Sequence, residues 1–163
     1  MESMVEQGMK EGAVGLSTGL IYLPGMYSTT EEVVGLAKAA RKSNGVYASH
    51  IRNEGHLVAF VADMRGINAV DGIGKQARIP VQISHFKVSG NANWGRSKET
   101  LAIVEQARRD GHDVTIDQYP YTASSTNLGV LLPDWALEGG NPAMKQRIND
   151  PACMMLATGR AQA

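Results

Sequence analysis

The chain has 163 residues and equal numbers of acidic and basic side chains, 16 of each. A chain of this length buries a real core, and its zero net charge argues against a protein that holds nucleic acid through phosphate contacts. No apolar run is long enough to span a bilayer, the acidic start is unlike a signal peptide, and a single cysteine excludes an internal disulfide. These features predict a cytoplasmic protein that binds neither nucleic acid nor membranes.

The first predicted element is a helix over residues 4–10, which Gly12 ends because glycine is favoured just after a helix. A short apolar run over 13–16 follows and is the first predicted strand. A proline–glycine pair then marks residues 20–25 as a loop.

The next predicted elements are a helix, a strand and a weaker helix. Thr29 or Thr30 is expected to cap the first helix, with two glutamates in its first turn, where the helix dipole favours acids. An Asn-Gly pair ends this helix before a strand over 46–48. The helical pattern over 57–76 contains three glycines. Each glycine costs about 1 kcal/mol relative to alanine, so we expect a break or an insertion near 65–71.

Two further strands are predicted over 81–83 and 114–116, where short runs with β-branched residues stand between turn residues. Between them, Ser97 is expected to cap a helix that runs through Asp110, with leucine, valine and alanine on one face. A long loop rich in serine, threonine and tyrosine follows the last strand, and a short helical turn is predicted over 131–137.

Strands that alternate with helices of this length predict an α/β protein with a parallel sheet. Two architectures fit the alternation: an open doubly wound sheet and part of a (β/α)8 barrel. A whole barrel needs about 200 residues or more, so four βα units amount to only part of one. The pattern fades after a glycine pair, which predicts a domain over 1–140 and a C-terminal tail over 141–163 without a recognisable structure.

Polar side chains follow three of the predicted strands, at the edge where parallel α/β proteins carry their working residues. His50, His85 and Asp117 occupy equivalent positions after consecutive strands. Two imidazoles on neighbouring strands can bind one zinc ion, and Asp117 is placed to hydrogen-bond a ligating histidine. The alternative for each residue is a polar side chain that bonds to the backbone at the end of a loop.

Other side chains near these strand ends suit substrate binding. Lys87, two residues after His85, either binds an anionic group or remains a solvated lysine. The loop after the last strand is crowded with hydroxyl groups, which either orient a polar substrate or bond to one another. These hydroxyl groups belong to Tyr119, Tyr121, Ser124 and Ser125. His56 and His112 lack a position at a strand end and are predicted to be surface residues.

Five blocks of the chain together carry a family resemblance. They read Gly-Ala-Val-Gly-Leu-Ser-Thr-Gly-Leu-Ile-Tyr-Leu-Pro-Gly at 12–25, Tyr-Ala-Ser-His-Ile-Arg-Asn-Glu at 47–54, Ile-Ser-His-Phe-Lys at 83–87, Asn-Trp-Gly at 93–95 and Asp-Gln-Tyr-Pro-Tyr at 117–121. In this order they resemble the N-acyl-D-amino-acid deacylases, also called D-aminoacylases, of the amidohydrolase superfamily. The resemblance extends over about residues 12–140.

The resemblance implies a (β/α)8 barrel beside a small β domain, with barrel strands four to seven in this chain. It also implies zinc-dependent hydrolysis of the amide in N-acylated D-amino acids. In that family His50 and His85 correspond to the metal ligands after strands five and six. The substrate-binding positions that it implies are Tyr22, Lys87, Tyr119 or Tyr121, and Ser125.

Several residues that the family uses have no counterpart in this sequence. They are a His-x-His pair after the first strand, a metal-binding cysteine, the catalytic aspartate and an arginine for the substrate carboxylate, so no catalytic residue is predicted. We therefore expect the isolated chain to be inactive or very weak. We also expect it to self-associate through open sheet edges, where backbone groups are unpaired.

Two alternative functions accompany the deacylase prediction. One is a cyclic amidohydrolase of the hydantoinase type, which also has histidines after strands five and six. The other is a non-catalytic association module, which the missing ligands favour. The Tyr-Pro-Tyr and Ser-His-Phe-Lys blocks favour the deacylase over the hydantoinase type.

Overall fold

The computed structural model describes residues 1–52 and 69–154. Within them, four strands form one sheet in the order β1-β2-β3-β4, and every neighbouring pair is parallel. The strands are β1 Gly15–Gly19, β2 Val46–His50, β3 Val81–Ile83 and β4 Val114–Ile116. This arrangement confirms the predicted α/β fold with parallel strands.

The order of the strands decides between the two predicted architectures. Each strand pairs with the strand before it in the chain, so successive βα units advance in a single direction. A doubly wound sheet reverses direction at a switch point, whereas a (β/α)8 barrel adds every unit on the same side. The four units therefore form a segment of a (β/α)8 barrel.

Helices connect the strands and continue after the last one. They are α1 Glu2–Lys10, α2 Thr30–Arg41, α3 Lys75–Ala77, α4 Ser97–Arg109, α5 Asp134–Leu137 and α6 Gly140–Asn149. Tight helical turns cover Gly25–Tyr27, Asn91–Asn93 and Leu128–Leu131, and a π-helical turn covers Ala69–Gly74. In the described part of the chain, no helix has the length and apolar character needed to cross a membrane.

Helix α2 begins where its sequence predicts, because Thr29 and Glu32 form a capping box. The Thr29 hydroxyl accepts a hydrogen bond from the Glu32 backbone N–H at 3.2 Å, and the Glu32 carboxylate accepts one from the Thr29 N–H at 2.7 Å. The apolar face of α2 is buried at Val33, Ala37 and Ala40. With this face the helix packs against β1 and β2.

The two faces of the sheet differ in burial because successive residues of a strand point to opposite sides. One face carries Tyr47 and Ile83, both fully buried in the core that includes the apolar face of α2. The opposite face carries Ala48, Gln82 and Thr115, which are aligned in one row across three strands and are half-buried or exposed. In a barrel segment, this second face lines the barrel interior.

The first two strands differ in extent from their predictions. The first strand covers Gly15–Gly19 rather than 13–16, and β2 extends beyond residue 48 to His50. The reason is that parallel pairing between β1 and β2 continues as far as Gly19 and His50, past the apolar residues that defined the predicted strands. His50 is therefore the last residue of a strand and not part of a loop.

The predicted serine cap of α4 is wrong. Ser97 is the first residue of the helix, and Arg96 occupies the capping position without a side-chain cap bond. Arg96 pairs instead with Glu99 at 3.0 Å. Hydrogen bonds from this guanidinium hold the pKa of the Glu99 carboxyl below its usual value.

The weak helix predicted over 57–76 lies mostly outside the described residues, and so does His56. Its last part forms the π-helical turn and then α3, and Arg78, the residue after α3, has a left-handed conformation with φ 53°. The break or insertion expected near 65–71 also falls largely outside the described residues and stays a prediction.

The chain divides into two compact units, Met1–Pro120 and Tyr121–Ala163. The first unit holds the whole sheet. The second holds α5 and α6, which contact each other, and it buries Ala136 and Leu137. The domain boundary predicted at residue 140 falls within this second unit, where α6 begins.

Candidate functional site

The carboxyl ends of β2 and β3 bring two histidines together. β2 ends at His50, and the pairing of Ser49 with Ile83 places His85 just beyond the end of β3. The centroids of the two imidazole rings lie 4.2 Å apart, and the ring planes are inclined at 66°. Both residues are half-buried. The two side chains that the sequence predicts as metal ligands are therefore neighbours.

Asp117 bonds to the peptide that carries His85 rather than to the imidazole. Its carboxylate accepts a hydrogen bond from the His85 backbone N–H and another, at 2.8 Å, from the Gln82 side-chain amide. His85 has a left-handed backbone with φ 41°, a conformation that costs a residue with a side chain about 1–3 kcal/mol. The carboxylate of Asp117 stabilises this conformation. It therefore fixes the direction in which the His85 side chain leaves the backbone.

Lys87 contacts both His85 and Tyr119. Its Nζ lies 3.1 Å from His85 Nδ1 and 3.2 Å from the His85 carbonyl oxygen. The same Nζ lies 5.4 Å from the centroid of the Tyr119 ring, within the range of a cation–π contact. A neutral imidazole has a single nitrogen lone pair. In the tautomer whose Nδ1 accepts from Lys87, Nε2 carries the proton, so Lys87 and a metal ion compete for one lone pair of His85.

Tyr22 borders the histidine pair from the loop between β1 and α2. Its ring centroid lies 4.9 Å from that of His50, with the planes tilted by 55°. Arg52 holds this loop, because its guanidinium donates hydrogen bonds to the carbonyls of Met26 and Ser28 at 3.0 and 2.7 Å. No role for Arg52 is predicted from the sequence. Its place in the block at 47–54 was the only signal, and the bonds join residues more than 20 positions apart.

The other predicted site residues have different surroundings. Tyr121 and Ser125 belong to the second compact unit, where both are exposed. Their role in substrate binding stays a prediction. His112, predicted to be a surface residue, is half-buried at the amino end of β4.

The histidine pair fits part of a zinc site. Imidazole nitrogen is a ligand that zinc accepts, and zinc sites in proteins use three or four protein ligands. Within residues 1–52 and 69–154, no three His, Cys, Asp or Glu side chains gather into a metal-binding group. His50 and His85 thus supply two imidazoles, fewer than the three or four protein ligands that such a site uses.

No protein-family model matches the chain, but individual proteins do. The chain is 42% identical over 129 residues to the D-aminoacylase of Alcaligenes xylosoxydans xylosoxydans. It is 41% identical over 136 residues to the N-acyl-D-glutamate deacylase of the same organism. The two matches cover 78% and 83% of this chain, and 25% and 26% of those proteins.

Solved structures of enzymes with these two names resemble the chain in three dimensions. A D-aminoacylase studied for its binuclear metal centre superposes with a TM-score of 0.69 at 39% identity, covering 80% of this chain and 27% of that one. The N-acyl-D-glutamate deacylase of Bordetella bronchiseptica, complexed with zinc and a phosphonate inhibitor, gives a TM-score of 0.65 at 37% identity. That match covers 74% of this chain and 24% of the deacylase.

The similarity is therefore one of both sequence and fold, and it confirms the resemblance carried by the five blocks. The chain spans about a quarter of the length of the relatives it matches. It belongs to the N-acyl-D-amino-acid deacylase family of the amidohydrolase superfamily.

Proposed function

We propose that this chain forms the part of a deacylase site that binds the metal ion and the substrate during hydrolysis of N-acyl-D-amino acids. The observation that carries the proposal is the pair of imidazole rings of His50 and His85, 4.2 Å apart at neighbouring strand ends. The relatives named D-aminoacylase and N-acyl-D-glutamate deacylase favour this activity over that of a hydantoinase-type enzyme.

His50 and His85 are the proposed metal ligands, and zinc is the proposed cofactor. Support comes from the binuclear metal centre described for D-aminoacylase and the zinc described for N-acyl-D-glutamate deacylase. Zinc, when bound, lowers the pKa of a coordinated water to about 7, which supplies hydroxide for attack on an acyl carbonyl. The protein contributes by orientation, since Asp117 holds the backbone of His85 and the Tyr22 ring packs beside His50.

Lys87 is the proposed binder of the substrate carboxylate. Its ammonium is a point charge with three donors, and it lies beside the His85 and Tyr119 rings. A substrate carboxylate that accepts a hydrogen bond from the Lys87 ammonium also releases the Nδ1 lone pair of His85. Substrate binding and metal binding are therefore proposed to favour each other. The further substrate-binding positions that we propose are Tyr22, Tyr119, Tyr121 and Ser125.

The isolated chain is expected to turn over substrate very slowly or not at all. Two imidazoles are fewer ligands than a zinc site uses, and no side chain of the described residues is proposed as the general base. The cytoplasm remains the proposed location, because a single cysteine suits a reducing compartment. Self-association through the edges of β1 and β4 is also proposed, and sedimentation velocity at increasing protein concentration tests it.

A transplant tests the proposed function. Residues 12–140 replace the matching segment of D-aminoacylase, and the chimera is assayed with zinc on N-acetyl-D-methionine. We expect measurable hydrolysis, a loss of at least about 100-fold in kcat/KM for the His85→Ala chimera, and little turnover by the isolated chain. A folded chimera that hydrolyses a hydantoin instead would support the cyclic amidohydrolase. A folded but inert chimera would support the non-catalytic association module.

Replacement of Lys87 by methionine is expected to raise the zinc affinity of the isolated chain by about tenfold. The change removes a positive charge close to the ion and the donor that occupies His85 Nδ1. In the chimera, the same change is expected to raise KM, because the substrate carboxylate loses its cation. Zinc affinity is measured by competition with a chromophoric chelator, and Lys98→Met on α4 is the control of equal charge. An unchanged or lower zinc affinity for Lys87→Met would contradict the competition at Nδ1.

A further inference from the structure

A cleft with basic walls lies at the amino ends of β3 and β4, at the opposite end of the sheet from His50 and His85. Its volume is about 500 Å³. The lining residues include three with a basic side chain, Arg41, Lys75 and Arg78, and one with a carboxylate, Asp113. We propose that this cleft binds a small phosphate-bearing molecule. The proposal does not depend on the proposed deacylase activity.

The basic side chains of the cleft differ in the hydrogen bonds and ion pairs that they make within the protein. Arg41 is engaged, since its Nε donates to the Arg78 carbonyl at 2.7 Å and its Nη1 donates to the Asn44 side chain at 2.9 Å. Lys75 and Arg78 are exposed. Among the described residues, the ion pairs of the chain include neither of them. Two cationic heads beside a single carboxylate therefore leave an excess of positive charge for an anion.

The backbone of Arg78 is a second, independent observation. Arg78 follows the last residue of α3 with φ 53° and ψ 44°, a left-handed position where glycine or asparagine is usually found because a larger side chain is strained. An arginine in this place puts a guanidinium at the cleft despite the strain. A position that only had to end the helix would favour glycine.

The lining favours phosphate over other anions. Arginine offers a planar fork that binds two phosphate oxygens at once, and lysine adds a point charge. The volume lies within the range of small-molecule pockets, about 300–1,000 Å³. Ile79 and Pro80 provide apolar wall for the organic part of such a ligand.

Basic residues at the carboxyl ends of helices also offset the helix dipole, so the test must separate a structural role from a binding role. Pyrophosphate is titrated by calorimetry into the metal-free 163-residue chain at low ionic strength. We expect binding with a Kd below about 1 mM that weakens as salt is added. The Lys75→Gln and Arg78→Gly variants are each expected to weaken binding by about tenfold. Absence of binding by the folded chain would overturn the proposal.

Three controls make the result specific. Arg78→Gly suits the left-handed backbone, so its melting temperature is expected to stay equal or to rise while pyrophosphate affinity falls; a fall in both would indicate a structural role and contradict the proposal. Lys98→Gln removes an equal charge on α4, outside the lining of the cleft, and is expected to leave affinity unchanged. The His85→Ala chain is expected to bind pyrophosphate normally, which separates this site from the proposed metal site. An equal loss for Lys98→Gln would mean non-specific attraction and would also overturn the proposal.

Discussion

Replacement of His85 by alanine is expected to lower the zinc affinity of the chain by at least about 100-fold, and His50→Ala is expected to do the same. Each change removes one of two imidazoles whose rings lie 4.2 Å apart, and a single imidazole holds zinc weakly. Zinc affinity is measured by competition with a chromophoric indicator on the purified chain. The two losses are expected not to add, because either change alone leaves a single ligand.

The matched control for these changes is His112→Ala. His112 is also half-buried, but it lies at the amino end of the sheet and lines the basic cleft. Its removal is expected to leave zinc affinity unchanged. Equal zinc affinity in the unchanged chain and in both site variants would contradict the assignment of the histidine pair as metal ligands. A loss with His112→Ala would mean that zinc binds elsewhere.

Replacement of Ile83 by alanine is expected to lower the free energy of unfolding by about 2–5 kcal/mol. Ile83 is fully buried in the core cluster between the sheet and the helices, so its truncation leaves a cavity. The measurement is urea unfolding followed by circular dichroism. The slope of the unfolding free energy with urea is expected to stay constant, since the change affects packing and not the size of the folded unit.

Ile116→Ala is the matched control for this substitution. Ile116 is the partner of Ile83 in the parallel pairing of β3 and β4, but it is 36% exposed. The same truncation at the edge strand is expected to cost less than about 1 kcal/mol. Equal losses at the two positions would show that Ile116 is covered as completely as Ile83, contrary to its exposure in the structure.

Much of the first unit was predictable because its signals are local. The β3 and β4 bounds follow from short apolar runs between turn residues, and both match the prediction at every residue. Helix α2 follows from a threonine and a glutamate three positions apart that cap its first turn. The length of β2 was not predictable in this way, because its last two residues belong to the strand through pairing with neighbouring strands: Ser49 pairs with β1 and β3, and His50 pairs with β1.

The candidate site was predictable as a set of residue types but not as a set of contacts. His50 and His85 stand out because each follows a predicted strand. The bond from the His85 backbone to Asp117 and the contact of Lys87 with the His85 ring depend on the left-handed turn at His85, for which the sequence has no glycine to signal it. The hydrogen bonds from the Arg52 guanidinium to the loop that contains Tyr22 were also not predictable from the sequence.

The sequence by itself determined the order of strands and helices, the family, and the identity of the side chains that end each strand. These properties depend on hydrophobic period, on capping and turn residues, and on five short blocks, all of which are local along the chain. Only the tertiary structure decided that the strands advance in one direction, that two imidazoles separated by 34 residues adjoin, and that Arg41, Lys75 and Arg78 share a cleft. Those outcomes depend on strand register and on which helix packs over which strand, and a one-residue change of register would move every side chain of a strand to the other face.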